Sequence, residues 1–246
     1  MAKQLEGQVA IITGAAVRMG RAIALALADE GCGIVIHYRS SADQALELSG
    51  ILKERGVPAW RVQADLAEPA GPERLIKEAK AQAGRLDILI NSAAIFGKQP
   101  FLESDMGSFR KYMEVNLFAP IMTTRAFVAA TETGRIINMV DRRIAGHDPT
   151  CIPYLLSKTA LGEFTQAAAL ALAPHFTVNA VGPGPALPPP GKPDSYLIEK
   201  AGKIPLERQV PPDEIARTIV HLVTSPGITG QIVFVDGGQH LLGEGV

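Results

Sequence analysis

The chain has only two cysteines in 246 residues, Cys32 and Cys151, and their separation matches no zinc or redox spacing. They read as free thiols of a reducing cytosol. Charge of one sign is also lacking: 24 basic residues against 25 acidic ones leave a formal balance of −1. That argues against a nucleic-acid binder that works by neutralising phosphates. No apolar stretch approaches the roughly 18 residues of a membrane-spanning helix. Val9-Ala10-Ile11-Ile12 is a short apolar run ending in Thr13-Gly14, with no signal peptide around it. Glycine and proline, 24 and 18 residues, are too few and too scattered for a collagenous or low-complexity chain. What is present is 47% hydrophobic and 20% charged residues, the profile of a folded globular protein. The expectation is a soluble cytoplasmic protein whose core needs no covalent staple.

Short β-rich runs alternate with longer helical patterns. Val9–Ile12, Gly33–His37, Trp60–Gln63, Ile88–Ile90, Ile136–Val140, Val178–Val181 and Ile232–Val235 read as buried strands. Helical stretches between them include Arg21–Glu30, Ala42–Arg55, Pro72–Ala83 and Lys158–Ala173. This alternation predicts an α/β fold, a single doubly wound Rossmann-type domain over 1–246, with a parallel seven-stranded sheet flanked by helices. The continuous apolar character of Ile88-Leu89-Ile90 suits a strand covered on both faces. One segment is irregular: Val181–Lys203 carries Pro183, Pro185 and the run Pro188-Pro189-Pro190. Prolines of this density continue neither a helix nor a central strand. The span 182–210 is therefore read as a substrate loop or lid, against the alternative of a variable surface loop.

The first strand runs into Thr13-Gly14-Ala15-Ala16-Val17-Arg18-Met19-Gly20, and a helix follows. Glycines at a strand–helix turn let backbone approach a diphosphate, which then sits on the helix N-terminus. A fold preferring NAD places a carboxylate near the end of the second strand to hold the ribose 2′-hydroxyl. Here that strand ends in His37-Tyr38-Arg39-Ser40. Arg39 can form charge-assisted bonds to a 2′-phosphate, Ser40 adds a donor, and Arg18 brings a further positive charge. The expected cofactor is NADP(H). At the other end of the chain, Tyr154 and Lys158 lie four residues apart and share one helical face. A nearby ammonium favours phenolate and draws the tyrosine toward proton-donor duty near neutral pH.

With these motifs the chain resembles the short-chain dehydrogenase/reductases over essentially its whole length. The matching landmarks are Thr13-Gly14 through Gly20, Asp65 after the third strand, Asn91-Ser92-Ala93-Ala94 after the fourth, and Asn116 in a helix. Tyr154, Lys158, Pro183-Gly184 and Asp236-Gly237-Gly238 complete them. The resemblance implies that Tyr154 is the proton donor, that Lys158 binds the nicotinamide ribose and tunes the tyrosine, and that Asn116 supports a proton relay. It also implies cofactor contacts from Gly14, Arg18, Met19, Gly20, His37, Tyr38, Arg39, Ser40, Asp65, Leu66, Asn91, Ser92, Ala93, Pro183 and Gly184. A homotetramer is the assembly it implies, with apolar Leu241-Leu242 near one interface or, alternatively, covering the domain's own core.

Two departures from the family pattern carry more information than the matches. Arg18 replaces the middle glycine of the turn, and Asp141 stands where the family has its catalytic serine, 13 residues before the tyrosine. A serine hydroxyl donates to a ketone oxygen, whereas an ionised aspartate only accepts and repels a developing oxyanion. Asp141 thus suggests a substrate that presents donors, such as the ring N–H and amino group of a pterin. The alternative is an aspartate that caps a turn or pairs with Arg142 or Arg143. Both departures occur in the pteridine reductase-like branch, where the resemblance extends to Gly14-Ala15-Ala16, His37-Tyr38, Ala64-Asp65-Leu66 and Asn138-Met139-Val140-Asp141. Phe96 matches the aromatic that sandwiches a pterin in that branch, although simple loop packing also accounts for it. Ala94 stands where the branch often has serine.

The expectation is an NADPH-dependent reductase of pterins or dihydropterins, dihydrofolate included, with Arg18, Phe96, Asp141 and Tyr154 at the substrate. The rivals are a carbonyl or 3-oxoacyl-carrier-protein reductase and a non-catalytic NADPH-binding regulator. No metal site, nucleic-acid partner or membrane partner is expected; His147 and His175 have no partners at ligand spacing. Arg142 and Arg143 are read as a solvated pair, against the alternative that they meet an anionic substrate tail such as the glutamate of a folate.

Overall fold

A computed structural model describes residues 3–188, 191–193, 195–200 and 202–242. Seven strands form one sheet in the order β3-β2-β1-β4-β5-β6-β7, with every pairing parallel. They are β1 (Val9–Ile12), β2 (Gly33–Tyr38), β3 (Ala59–Gln63), β4 (Ile88–Asn91), β5 (Gly134–Met139), β6 (Phe176–Pro183) and β7 (Ile232–Val235). Helices α1 (Arg18–Asp29), α2 (Ala42–Glu54) and α3 (Gly71–Ala83) connect the first four strands. Between β4 and β5 run α4 (Met106–Met113), a π-helical turn (Glu114–Phe118) and α5 (Ala119–Ala130). Helix α6 (Ile152–Leu172) precedes β6, while α7 (Ser195–Lys200) and α8 (Pro212–Thr224) lie between β6 and β7.

Strand alternation sorts the apolar side chains onto two faces. Ala10, Ile12, Ile34, Ile36, Ile88 and Ile90 pack against Ile23 and Leu27 of α1, Leu48 and Leu52 of α2, and Ile215 and Ile219 of α8. Val9, Ile11, Val35, Leu89 and Ile136 point the other way, against Leu75 and Ile76 of α3, Phe127 of α5 and Ala168 of α6. Both faces are thus covered, as the unbroken apolar strands require.

The chain leaves β1 toward β2 on one side, while β4 pairs on the other, so the strand order reverses between β1 and β4. Ligands of such sheets bind in the crevice at the carboxyl ends of the strands at this reversal. The register brings Ile12 beside Ile90, Asn91 beside Asn138 and Met139 beside Val181. The segments after β1, β4, β5 and β6 therefore emerge along one edge.

Sequence and structure differ at several boundaries. Helix α6 starts at Ile152 rather than Lys158, because Pro153 sits in its first turn, where proline is tolerated. It thereby includes Tyr154. Helix α1 starts at Arg18, three residues earlier than the pattern suggests. The irregular segment contains the short helix α7; Pro189 and Pro190 lie outside the described residues. No helix among the described residues is long and apolar enough to cross a membrane.

Candidate active site

The turn after β1 is a backbone cradle. Gly14 has φ 68°, and a Cβ there would come within 3.2 Å of the Ala93 backbone. At Gly20 a Cβ would lie 2.2 Å from the Gly14 carbonyl, so only glycine lets α1 close onto the turn. Helix α1 has no side-chain cap and no acidic residue in its first turn, leaving its N-terminal amides for an anion. Arg18 opens this helix at φ 55°, a left-handed conformation that suits the glycine it replaces. Its guanidinium is exposed and reaches the Leu187 carbonyl at 3.5 Å. Met19 is half-buried behind it. These features fit the diphosphate of a dinucleotide.

His37 departs from its expected part as a direct cofactor contact. It is buried, and its Nδ1 accepts the Gly14 N–H at 3.0 Å while its Nε2 faces the Ala64 carbonyl at 3.1 Å. The Gly14 amide can only donate, so the proton sits on Nε2. Burial pushes the His37 pKa down to about 4, and the Ala64 bond opposes that only in part. His37 therefore shapes the glycine turn as a neutral ring. Tyr38 is half-buried, while Arg39 and Ser40 are exposed at the end of β2, where a 2′-phosphate can meet them. Asp65 and Leu66 are half-buried after β3, with Asp65 Oδ1 accepting the Ala67 N–H at 2.9 Å.

Thr13, which the sequence did not mark as a site residue, fastens the turn to the neighbouring loop. Its Oγ1 accepts the N–H groups of Ser92 and Ala93, both at 2.9 Å. Asn91 is turned inward instead of toward a ligand. Its Nδ2 donates to Asn138 Oδ1 at 2.8 Å, and Asn138 in turn donates to Thr165 at 3.0 Å. This buried polar ladder ties β4, β5 and α6 together. Gly184 follows β6 and could not carry a Cβ, which would lie 2.9 Å from Asp236. Pro183 and Gly184 are half-buried along the same edge.

The chemical end converges on Tyr154. Its hydroxyl donates to Asp141 Oδ2 at 2.7 Å. Burial, followed by the charge and hydrogen bond of Asp141, raises the Tyr154 pKa well above its ordinary value. The expected lowering by Lys158 is thus overturned: Lys158 instead donates to the Met139 carbonyl at 2.6 Å. Burial lowers the Lys158 pKa to about 8, against the pull of Asp141. Asn116 is fully buried in the π-helical turn. Its Oδ1 accepts the Ile95 N–H at 2.9 Å, and its Nδ2 donates to the Ile95 carbonyl and to Ser157 Oγ. Ser157 donates to the Tyr154 carbonyl at 2.6 Å, so Asn116 links the loop after β4 to the tyrosine's helix.

Asp141 does cap a turn and does pair with an arginine, as the alternative reading held. Its Oδ1 accepts the Arg143 N–H at 2.9 Å, and Arg143 Nη1 lies 3.3 and 3.2 Å from its two oxygens. The same carboxylate also takes the Tyr154 hydroxyl, so capping and site geometry coexist. The solvated-pair reading of the two arginines is incorrect. Arg142 is 5% exposed, and Arg143 is fixed by Asp141 and by Asp148, whose Oδ2 accepts from Nε at 2.8 Å. Burial opposes the Arg143 charge, but Asp141 and Asp148 outweigh it and raise its pKa. Asp148 escaped notice because nothing in a loop pattern tells which aspartate will face which arginine. Phe96 is 52% exposed and meets the Tyr154 ring edge-on, with centroids 4.8 Å apart.

A dinucleotide cradle at the strand reversal, beside a tyrosine and lysine one helical turn apart, defines an NAD(P)-dependent oxidoreductase. A family model described as enoyl-(acyl carrier protein) reductase matches residues 14–240. The 3-oxoacyl-[acyl-carrier-protein] reductase FabG of Staphylococcus epidermidis is 30% identical over 240 residues, 94% of this chain and 98% of that protein. A 3-oxoacyl-[acyl-carrier-protein] reductase of Synechocystis is 33% identical over 243 residues, 96% of this chain and 98% of its own. Among solved structures, FolM alternative dihydrofolate reductase 1 from Brucella canis, complexed with NADP, superposes with a TM-score of 0.91. It is 32% identical and covers 98% of this chain and 97% of that one. The chain belongs to the short-chain dehydrogenase/reductase family.

Proposed function

We propose that the protein is an NADPH-dependent reductase of pterins or dihydropterins, with dihydrofolate among its candidate substrates. The observation that carries this reading is Asp141 bonded to the Tyr154 hydroxyl at 2.7 Å, where the family pattern places a serine. A carboxylate accepts from the ring N–H and amino group of a pterin, and disfavours the oxyanion of a ketone under reduction. Support comes also from the Brucella canis structure, whose name gives it as an alternative dihydrofolate reductase complexed with NADP.

NADP(H) is the cofactor, and when bound it supplies the hydride. The amides at the start of α1 and the backbone of Gly14 would hold its diphosphate. Arg39 and Ser40 would hold the 2′-phosphate, with Arg18 adding positive charge. Lys158, still bonded to Met139, would hold the nicotinamide ribose. Tyr154 is protonated at neutral pH, as burial and the Asp141 charge favour, and in the structure that proton points to Asp141 Oδ2. Substrate N–H donors arriving at Asp141 compete for this acceptor and free the Tyr154 hydroxyl to donate to the substrate. Phe96 forms the exposed aromatic wall beside it. The proposed assembly is a homotetramer; light scattering showing a monomer at micromolar concentration would refute it.

A second reading, 3-oxoacyl-carrier-protein reductase, is favoured by the Staphylococcus epidermidis and Synechocystis relatives. It lacks the serine donor at position 141. NADPH oxidation measured over dihydropterins, dihydrofolate and small 3-oxoacyl thioesters tests both. The pterin reading expects turnover of the first two groups and little of the third; the reverse order would replace it with the second reading.

A further inference from the structure

Arg143 joins the two loops that border the chemical end. Its backbone N–H and Nη1 reach Asp141, its Nε reaches Asp148, and its guanidinium carbon lies 5.2 Å from the centroid of the Phe96 ring. Phe96 in turn meets Tyr154. Asp148 is buried and holds its own loop by accepting the Thr150 N–H at 2.9 Å and the Thr150 hydroxyl at 2.7 Å. The Thr150 carbonyl accepts the Gln99 N–H at 2.7 Å, which draws the 96–99 loop to the same place. A planar guanidinium with five donors can serve two carboxylates and stack on a ring at once; an ammonium cannot.

We infer that Arg143 is a positioning residue that sets substrate specificity. It holds the Asp141 carboxylate against Tyr154 and the Phe96 ring beside them, so that the site receives flat rings carrying N–H donors. This rests on the pterin reading. A serine at 141 needs no counter-charge, so Asp141 and Arg143 work as a pair.

The test uses Arg143→Met, Arg143→Lys and Asp148→Asn in the full chain. NADPH Kd, the kcat and KM for a 7,8-dihydropterin, and amide exchange at residues 143 and 150 are measured. Arg143→Met is expected to raise KM about tenfold or more, roughly the loss of one charged hydrogen bond, and to leave NADPH Kd within about twofold. Arg143→Lys recovers part of that loss, and Asp148→Asn falls between. An unchanged KM in Arg143→Met would overturn the proposal. So would joint loss of NADPH and substrate binding with no recovery in Arg143→Lys, which is the pattern of a merely structural residue. Should the unaltered protein reduce no pterin, the pterin reading fails by itself. The exchange measurement then decides separately: faster exchange at 143 and 150 in Arg143→Met sustains the positioning role, and unchanged exchange ends it.

Discussion

At the nucleotide end, neutral and backbone groups carry the structure: Thr13 Oγ1 holds two amides, and uncharged His37 holds the Gly14 N–H. At the chemical end, ionised side chains carry it: Arg143 between Asp141 and Asp148, with Lys158 buried nearby. The difference follows from what each end must meet. A dinucleotide brings its own charges and needs a fixed surface of donors, which backbone supplies without changing with pH. A reacting substrate needs groups whose protonation and placement are coupled. Charge therefore concentrates where chemistry occurs, and each charge there depends on its neighbours.

If this contrast holds, substitutions at the chemical end should affect turnover and spare NADPH binding. The largest effect is expected from Tyr154→Phe, which removes the proposed proton donor: roughly 10²- to 10⁴-fold in kcat, with NADPH Kd unchanged by fluorescence titration. Next comes Asp141→Ala. It should lower kcat/KM for a dihydropterin about a hundredfold, on the order of 3 kcal/mol, again without loss of NADPH. Loss of all activities and of stability together would mean that the turn cap, and not the substrate contact, is what Asp141 supplies.

Substitutions at the nucleotide end should show the opposite pattern. His37→Leu leaves the Gly14 N–H without its acceptor, and should weaken NADPH binding about tenfold, or ~1.4 kcal/mol, with little change in kcat. His37 also gives the contrast a pH dependence. Its folded pKa of about 4 lies below the unfolded value of 6.5. The unfolded chain therefore takes up the proton first as pH falls, and the His37 contribution, complete above 6.5, is lost on the way to 4. By pH 4.5 that loss is on the order of 2–3 kcal/mol. The Tm gap between the two proteins should accordingly narrow on acidification; a constant gap would mean that His37 titrates normally. The smallest effect belongs to exposed Arg39. Arg39→Ala should raise KM for NADPH about fivefold, roughly 1 kcal/mol, while leaving NADH untouched. Equal loss for both cofactors would remove Arg39 from the 2′-phosphate.

The two ends were not equally legible in the sequence. Strands β1 and β7 carry their observed limits in the apolar pattern, because both are bounded by glycine or turn residues. The glycine turn was legible because Gly14 and Gly20 answer to backbone clearances that few other sequences meet. Tyr154 and Lys158 were legible through helical spacing. What stayed hidden depends on contacts between loops distant in sequence. Thr13 belongs to the turn motif, yet nothing in that motif announces its bonds to the Ser92 and Ala93 amides, and the inward turn of Asn91 depends on Asn138 and Thr165 being opposite it. His37 is turned into the protein against Gly14 and Ala64 instead of being presented to a cofactor, and burial, which decides this, is a property of the packed sheet. The sign of the Tyr154 shift failed for the same reason: Lys158 is near in sequence, yet Asp141 is the group bonded to the phenol.

The central claim, that the residue at position 141 selects the substrate class, is tested most directly by Asp141→Ser. NADPH oxidation by the purified variant would be followed with a dihydropterin and with a small ketone beside the unaltered protein. The account predicts loss of pterin reduction by about a hundredfold and a gain of ketone reduction, as the oxyanion no longer faces a carboxylate. Pterin turnover at the unaltered protein's rate in a well-folded Asp141→Ser variant would contradict it.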